Sequence, residues 1–101
     1  MTYSVVIRRA AERDIERALD WYRDHAPDQV GRFASEFEAF VERIQGNPRS
    51  FRPLRGGARR GMLRVFPYKV WFRCLDEARL VEVLAVIHAR QDATRLDDRL
   101  L

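Results

Sequence analysis

The first half of the chain changes from a strand-like pattern to helical periodicity. Tyr3–Ile7 is rich in β-branched and aromatic residues and predicts a first strand. Over Ala10–Asp24, apolar residues recur at the spacing of one helix face, and the charged residues lie opposite. A second amphipathic helix, from about Asp28, carries a phenylalanine-rich stripe and ends at Gly46–Pro48. The short break at His25–Pro27 predicts an antiparallel helical hairpin.

The second half of the chain changes to the period of two that is typical of strands. Residues 47–58 contain two prolines and two glycines and predict a loop. Three predicted strands follow: Met62–Phe66, Tyr68–Leu75 and Leu80–His88. The last is nearly all apolar, which is typical of a strand at the centre of its sheet. Asp92 is predicted to cap a short helix over Ala93–Leu100.

The order β-α-α-β-β-β predicts an α+β fold. We expect the helical hairpin to pack on one face of a small, mainly antiparallel sheet. With 101 residues, of which 47% are hydrophobic, residues 1–101 are expected to form one domain around one core.

Composition narrows the functional class. No apolar stretch approaches the roughly 20 residues that span a bilayer, and the N-terminus lacks the pattern of a signal peptide. The single cysteine, Cys74, fits a reducing compartment, so we expect a cytoplasmic protein. No Cys/His or carboxylate group has metal-ligand spacing, and Gly56-Gly57 is only a turn. Neither a metal nor a cofactor is therefore expected.

The charge is distributed unevenly along the chain. Between Arg43 and Leu75 there are nine basic residues and no acidic one, whereas the other segments carry a net charge of −5. Such a dipolar molecule can direct one face toward a polyanion or an acidic partner. The densest part is predicted to bind such a target, and its arginines are Arg49, Arg52, Arg55, Arg59 and Arg60. The alternative is a solvated basic loop.

Several ordered segments, spread over roughly residues 3–92, resemble the ParE/RelE superfamily of bacterial type II toxins. They are AERDIERALDWY, a phenylalanine-rich helix ending in RIQGNP, RRGMLRVFPYKVWF and VEVLAVIHARQD. The resemblance implies a growth-inhibiting, plasmid-stabilising toxin that is silenced by a cognate antitoxin. ParE-like members inhibit DNA gyrase by binding it, whereas RelE-like members cleave messenger RNA on the ribosome. Homodimers and toxin–antitoxin hetero-oligomers are both compatible with this class.

Similarity to the RelE-like enzymes would give three residues a catalytic role. Arg64 on the predicted second strand, and His88 and Arg90 at the end of the fourth, match positions that those enzymes use. Arginine suits phosphate stabilisation and histidine suits proton transfer. We predict that His88 shares a strand face with Leu84 and Val86, and that Arg64 and His88 can meet if that face is open.

Two departures favour the ParE-like branch. RelE-like enzymes usually carry several lysines and a tyrosine near the C-terminus, but this chain has one lysine and no tyrosine after Tyr68. Whether the chain is an enzyme therefore stays open, and a degenerate member retained only for interactions is a third alternative. Among the aromatic residues, Phe66 and Tyr68 are expected in the core, and Trp71 is expected to be exposed.

Overall fold

The computed structural model describes residues 2–91 and 96–100, with only the backbone described for Arg55, Asp97 and Asp98. The helices and strands are β1 (Ser4–Ile7), α1 (Arg9–His25), α2 (Val30–Gly46), β2 (Arg59–Met62), β3 (Tyr68–Leu75), β4 (Leu80–His88) and α3 (Leu96–Arg99). The predicted order β-α-α-β-β-β is confirmed. The predicted cap at Asp92 lies outside the described residues.

The four strands form one mixed sheet in the order β1-β4-β3-β2. The central strand β4 pairs with β1 in parallel and with β3 in antiparallel orientation, and β2 pairs antiparallel with the far side of β3. The prediction that the last strand is central is therefore confirmed. No helix in residues 2–91 or 96–100 is long and apolar enough to cross a membrane.

The helical hairpin buries its apolar stripes against one face of the sheet. Side chains from both helices and from β3 and β4 form the main core, where Phe33, Phe40 and Phe72 are fully buried. A smaller cluster on the opposite face contains Trp71 and Leu84, and Leu96 of α3 packs against it. The sheet thus has apolar side chains packed on both faces, and α3 covers part of the second.

A β-bulge interrupts the alternation of side chains along β4. Trp71 pairs with Ala85 and Phe72 with Val83, so Leu84 is the extra residue. Leu84 packs in the cluster around Trp71, whereas Val83 and Val86 belong to the main core. The prediction that Leu84 shares a face with Val86 and His88 is wrong, because the bulge shifts the alternation by one residue.

The second strand begins and ends earlier than the pattern predicts. It spans Arg59–Met62 and not Met62–Phe66, because the amide of Leu63 donates to the carbonyl of Tyr68 at 3.0 Å and closes the turn there. Gly61 is required in this strand: a Cβ at this position would lie 2.5 Å from the ring of Phe40. Arg64 consequently lies in the turn after β2, not on the strand.

Candidate functional site

The basic segment, residues 43–75, is divided between structural and exposed arginines. Arg49 forms an ion pair with Asp76, and the guanidinium of Arg59 donates to the carbonyl of Phe51. These contacts hold the loop before β2 against the sheet edge. Arg52 and Arg60 are exposed, and the side chain of Arg55 lies outside the described part. Among the predicted target-binding arginines whose side chains the structure describes, Arg49 and Arg59 therefore also have polar contacts within the chain.

Trp71 forms the platform for one of these arginines. The guanidinium of Arg60 lies 5.5 Å from the centre of the Trp71 ring, directly across the β2–β3 pair. Trp71 itself is only 5% exposed, so the prediction that it is exposed is wrong. It packs with Ala58 and Leu96, which cover this part of the sheet. Phe66 and Tyr68 are buried in the main core as predicted.

Arg64 is exposed and lines a cavity of about 610 Å³ between α2 and the end of β2. Arg32, Glu36 and Met62 lie along the same cavity. The charged side chains along this cavity are therefore of both signs.

His88 lines a different cavity of about 680 Å³, between α1 and the ends of β3 and β4. Its ring packs edge-on against Tyr68, with 5.2 Å between the ring centres. Its Nδ1 accepts a hydrogen bond at 3.1 Å from the amide of Arg90, whose side chain is exposed. The structure brings His88 and Arg90 together, but Arg64 lines the other cavity and does not join them.

Two tyrosines and a tryptophan line this second cavity. Tyr22 of α1 and Tyr68 of β3 are each 8% exposed, and Trp21 at the cavity edge is 51% exposed. Burial raises the pKa of Tyr22 and of Tyr68, and the proximity of Tyr22 raises the pKa of Tyr68 further. Both hydroxyls therefore stay protonated at neutral pH and can donate a hydrogen bond.

The sequence pattern did not identify Asp14 as a buried carboxylate in the same region. Asp14 was assigned to the charged face of α1 but is 5% exposed. It accepts a hydrogen bond from the amide of Val86 at 2.9 Å and ion-pairs with Arg17 and Arg99. Its position three residues after Ala11 and four before Ala18 places it on the apolar stripe, and that spacing is the signal that could have identified it.

A second buried carboxylate, Glu82 of β4, lies on the opposite face of the sheet. Burial alone would raise its pKa, but hydrogen bonds and charge from Arg73 and Arg8 outweigh burial and lower it. Arg73 also donates to the carbonyl of Leu100 at 2.9 Å and so connects β3 to the end of α3. Within residues 2–91 and 96–100, no three His, Cys, Asp or Glu side chains lie close enough to hold a metal ion.

Solved structures with the same fold define the class of protein. The chromosomal ParDE toxin–antitoxin system of P. aeruginosa contains a chain with a TM-score of 0.76 and 19% identity, covering 88% of this chain and 98% of that one. The RelBE2 toxin–antitoxin complex of Mycobacterium tuberculosis gives a TM-score of 0.63 and 24% identity, over 87% and 99% of the two chains. A mutant of the E. coli toxin RelE in the free state gives a TM-score of 0.60 and 19% identity, over 99% of this chain and 95% of that one. The fold is that of the ParE/RelE toxins, as predicted.

Sequence comparison identifies the branch. Residues 5–93 match the family model of the ParE toxin of type II toxin-antitoxin system, parDE. Toxin ParE2 of Mycobacterium tuberculosis is 35% identical over 98 residues, which cover 96% of this chain and 91% of that protein. The chain therefore belongs to the ParE toxin family of type II toxin–antitoxin systems.

Proposed function

We propose that this ParE-type toxin acts in the cytoplasm, where it inhibits DNA gyrase by binding it through the basic segment. The observation that carries the proposal is the charge of that segment: residues 43–75 contain no carboxylate, and Arg52, Arg60 and Arg64 have exposed side chains. An acidic surface on the target would be complementary to this charge. The choice of gyrase rests on the resemblance to ParE-like members.

The second part of the proposal is neutralisation by a cognate antitoxin. The structural neighbours include toxin–antitoxin complexes from M. tuberculosis and E. coli, and an intact complex of that kind is the expected state of this chain in the cell. The exposed Trp21 of α1 offers an apolar contact to such a partner, and the basic segment offers a charged surface. Co-expression with the neighbouring gene should give a stable complex, and failure of the purified chains to associate would contradict this part.

The separation of Arg64 from His88 supports binding over catalysis. A nuclease of the RelE type would use Arg64 to stabilise the phosphate and His88 to transfer a proton, so both would have to reach one scissile bond. These residues line different cavities. The RelE-like endonuclease is retained as the second candidate because His88, Arg90 and Tyr68 do lie together at the end of β4.

Growth assays on single variants separate the two candidates. For a gyrase binder, Arg60→Ala and Arg64→Ala should each weaken toxicity partly, and high salt should weaken gyrase inhibition by the purified toxin. His88→Ala should be nearly silent. Arg13→Ala, at an exposed position on α1, is the matched control and should have no effect.

Circular dichroism on each variant confirms that lost toxicity does not reflect unfolding. Complete loss in both Arg64→Ala and His88→Ala, together with ribosome-dependent cleavage of messenger RNA by the parent chain, would overturn the binding mechanism. Removing any one member of a catalytic unit abolishes toxicity, whereas removing one of several separate binding contacts lowers toxicity only partly.

A further inference from the structure

The cavity between α1 and the sheet has the properties of an anchor site for a protein partner. We call it the α1–β3 groove and define it by six of its lining residues: Asp14, Arg17, Trp21, Tyr22, Tyr68 and His88. Its volume of about 680 Å³ is in the range of ligand-binding pockets, and four of its lining residues carry aromatic rings. Neither gyrase binding through the basic segment nor the RelE-like alternative gives a role to Trp21 or Arg17.

Two hydroxyl groups in the groove have unused hydrogen-bonding capacity. The side chains of Tyr22 and Tyr68 are more than nine-tenths buried, and both line the groove. Among residues 2–91 and 96–100, neither hydroxyl forms a hydrogen bond, and both residues line the groove. Each tyrosine therefore brings to the groove lining a hydroxyl that can donate to a ligand oxygen.

The charge at the mouth of the groove favours a negatively charged group. Arg17 and Arg99 share the carboxylate of Asp14, so this cluster carries one net positive charge. The side chain of Arg17 is 67% exposed and keeps free N–H donors toward solvent. The Asp14 carboxylate in the wall would repel a doubly charged phosphate, whereas a single carboxylate beside Arg17 is well matched.

We propose that the α1–β3 groove anchors an acidic, amphipathic segment of the antitoxin. An apolar or aromatic side chain of that segment enters between Trp21 and Tyr68, its carbonyl or carboxylate oxygen accepts from the tyrosine hydroxyls, and an acidic residue pairs with Arg17. Buried aromatic anchors of this kind dominate the energetics of protein interfaces. The inference rests on the proposed function, because it names the surface by which the antitoxin is held.

Affinity measurements with the purified antitoxin encoded beside the toxin gene test the groove. Trp21→Ala should weaken binding by more than about tenfold, as expected for an interface anchor. Arg17→Gln should weaken binding several-fold. Arg23→Gln is its matched control, because Arg23 also pairs with an aspartate three residues earlier on α1 but does not line the groove, and it should bind as the parent does.

Tryptophan fluorescence gives a second readout, because Trp21 is exposed and Trp71 is buried. Binding should move the emission of the parent to shorter wavelength, and Trp21→Phe should remove that shift. An unchanged parent spectrum in a saturated complex would overturn the assignment.

The outcomes distinguish failure of the groove from failure of the proposed function. If the parent does not bind the antitoxin at all, the proposed neutralisation fails. If the parent binds and Trp21→Ala binds equally tightly, only the groove assignment is wrong. If Trp21→Ala loses gyrase inhibition but keeps full antitoxin affinity, the groove binds the target instead. If Trp21→Ala loses only the binding of a single-stranded oligoribonucleotide, the groove binds RNA. Each of these last two results overturns the proposal.

Discussion

Asp14 provides the sharpest test of how this fold is held together, because α1 contains its own control. Asp14 and Arg17, three positions apart on α1, form an ion pair at 2.5 Å, and Asp20 and Arg23 repeat the same distance and spacing. The two pairs differ in burial: the Asp14 side chain is 4% exposed and the Asp20 side chain is 70% exposed. Only Asp14 also contacts Arg99 and the amide of Val86.

The expected cost of Asp14→Ala follows from the groups that lose a partner. The Val86 amide lies on the edge of β4 beyond the end of β1, where Asp14 takes the place of a neighbouring strand. An unsatisfied buried amide costs about 1–3 kcal/mol. Breaking a buried ion pair by removing one partner costs about 3–5 kcal/mol, and we expect a total in that range because the two losses overlap. Asp20→Ala should change stability by no more than about 0.5 kcal/mol.

Thermal denaturation followed by circular dichroism measures both variants. In a domain of this size, Asp14→Ala should lower the melting temperature by at least about 12 °C, and Asp20→Ala by no more than a few degrees. Asp14→Asn should fall between the two, because the amide oxygen can still accept from Val86 but the charge is gone. Equal losses for Asp14→Ala and Asp20→Ala would refute the reasoning that burial and the additional contacts make Asp14 special.

Two further predictions concern the core and the second buried carboxylate. Phe37→Ala should lower the free energy of unfolding by about 3–5 kcal/mol, because Phe37 is buried in the main core; an unchanged denaturation midpoint would contradict its placement. Because the pKa of Glu82 is lowered in the folded state, its stabilisation is present above its unfolded pKa of about 4.5 and is lost as the pH falls from there through the lower folded-state pKa. Glu82→Gln should therefore flatten the acid side of a stability–pH profile, and a profile identical to the parent's would contradict the role of the Arg73 and Arg8 contacts.

Strands that are flanked by clear turn residues were predictable from the sequence. β3 and β4 have the predicted limits because the turn at Asp76 separates two apolar runs with a period of two. β2 was misplaced because Arg59-Arg60-Gly61 has no strand-like pattern. Its position is set by pairing with β3 and by the close approach of Phe40 to Gly61, and neither is visible in local sequence.

Site geometry was less predictable than the fold. The nine basic residues of the segment 43–75 were visible in the sequence. The sequence did not show that Arg49 and Arg59 would have contacts within the chain. Arg64 and His88 fall in separate cavities because β2 ends early and β4 contains a bulge at Leu84. A pattern with a period of two assumes continuous strands, so it cannot anticipate either irregularity.

Inhibition of gyrase by the purified chain tests the central proposal most directly. Supercoiling of relaxed plasmid DNA by gyrase should stop when the chain is added, and stoichiometric antitoxin should restore it. Arg60→Ala should require a higher concentration for the same inhibition, and added salt should increase that requirement because the contact is electrostatic. Full supercoiling at saturating toxin, in a preparation that still arrests growth and cleaves ribosome-bound messenger RNA, would contradict the account.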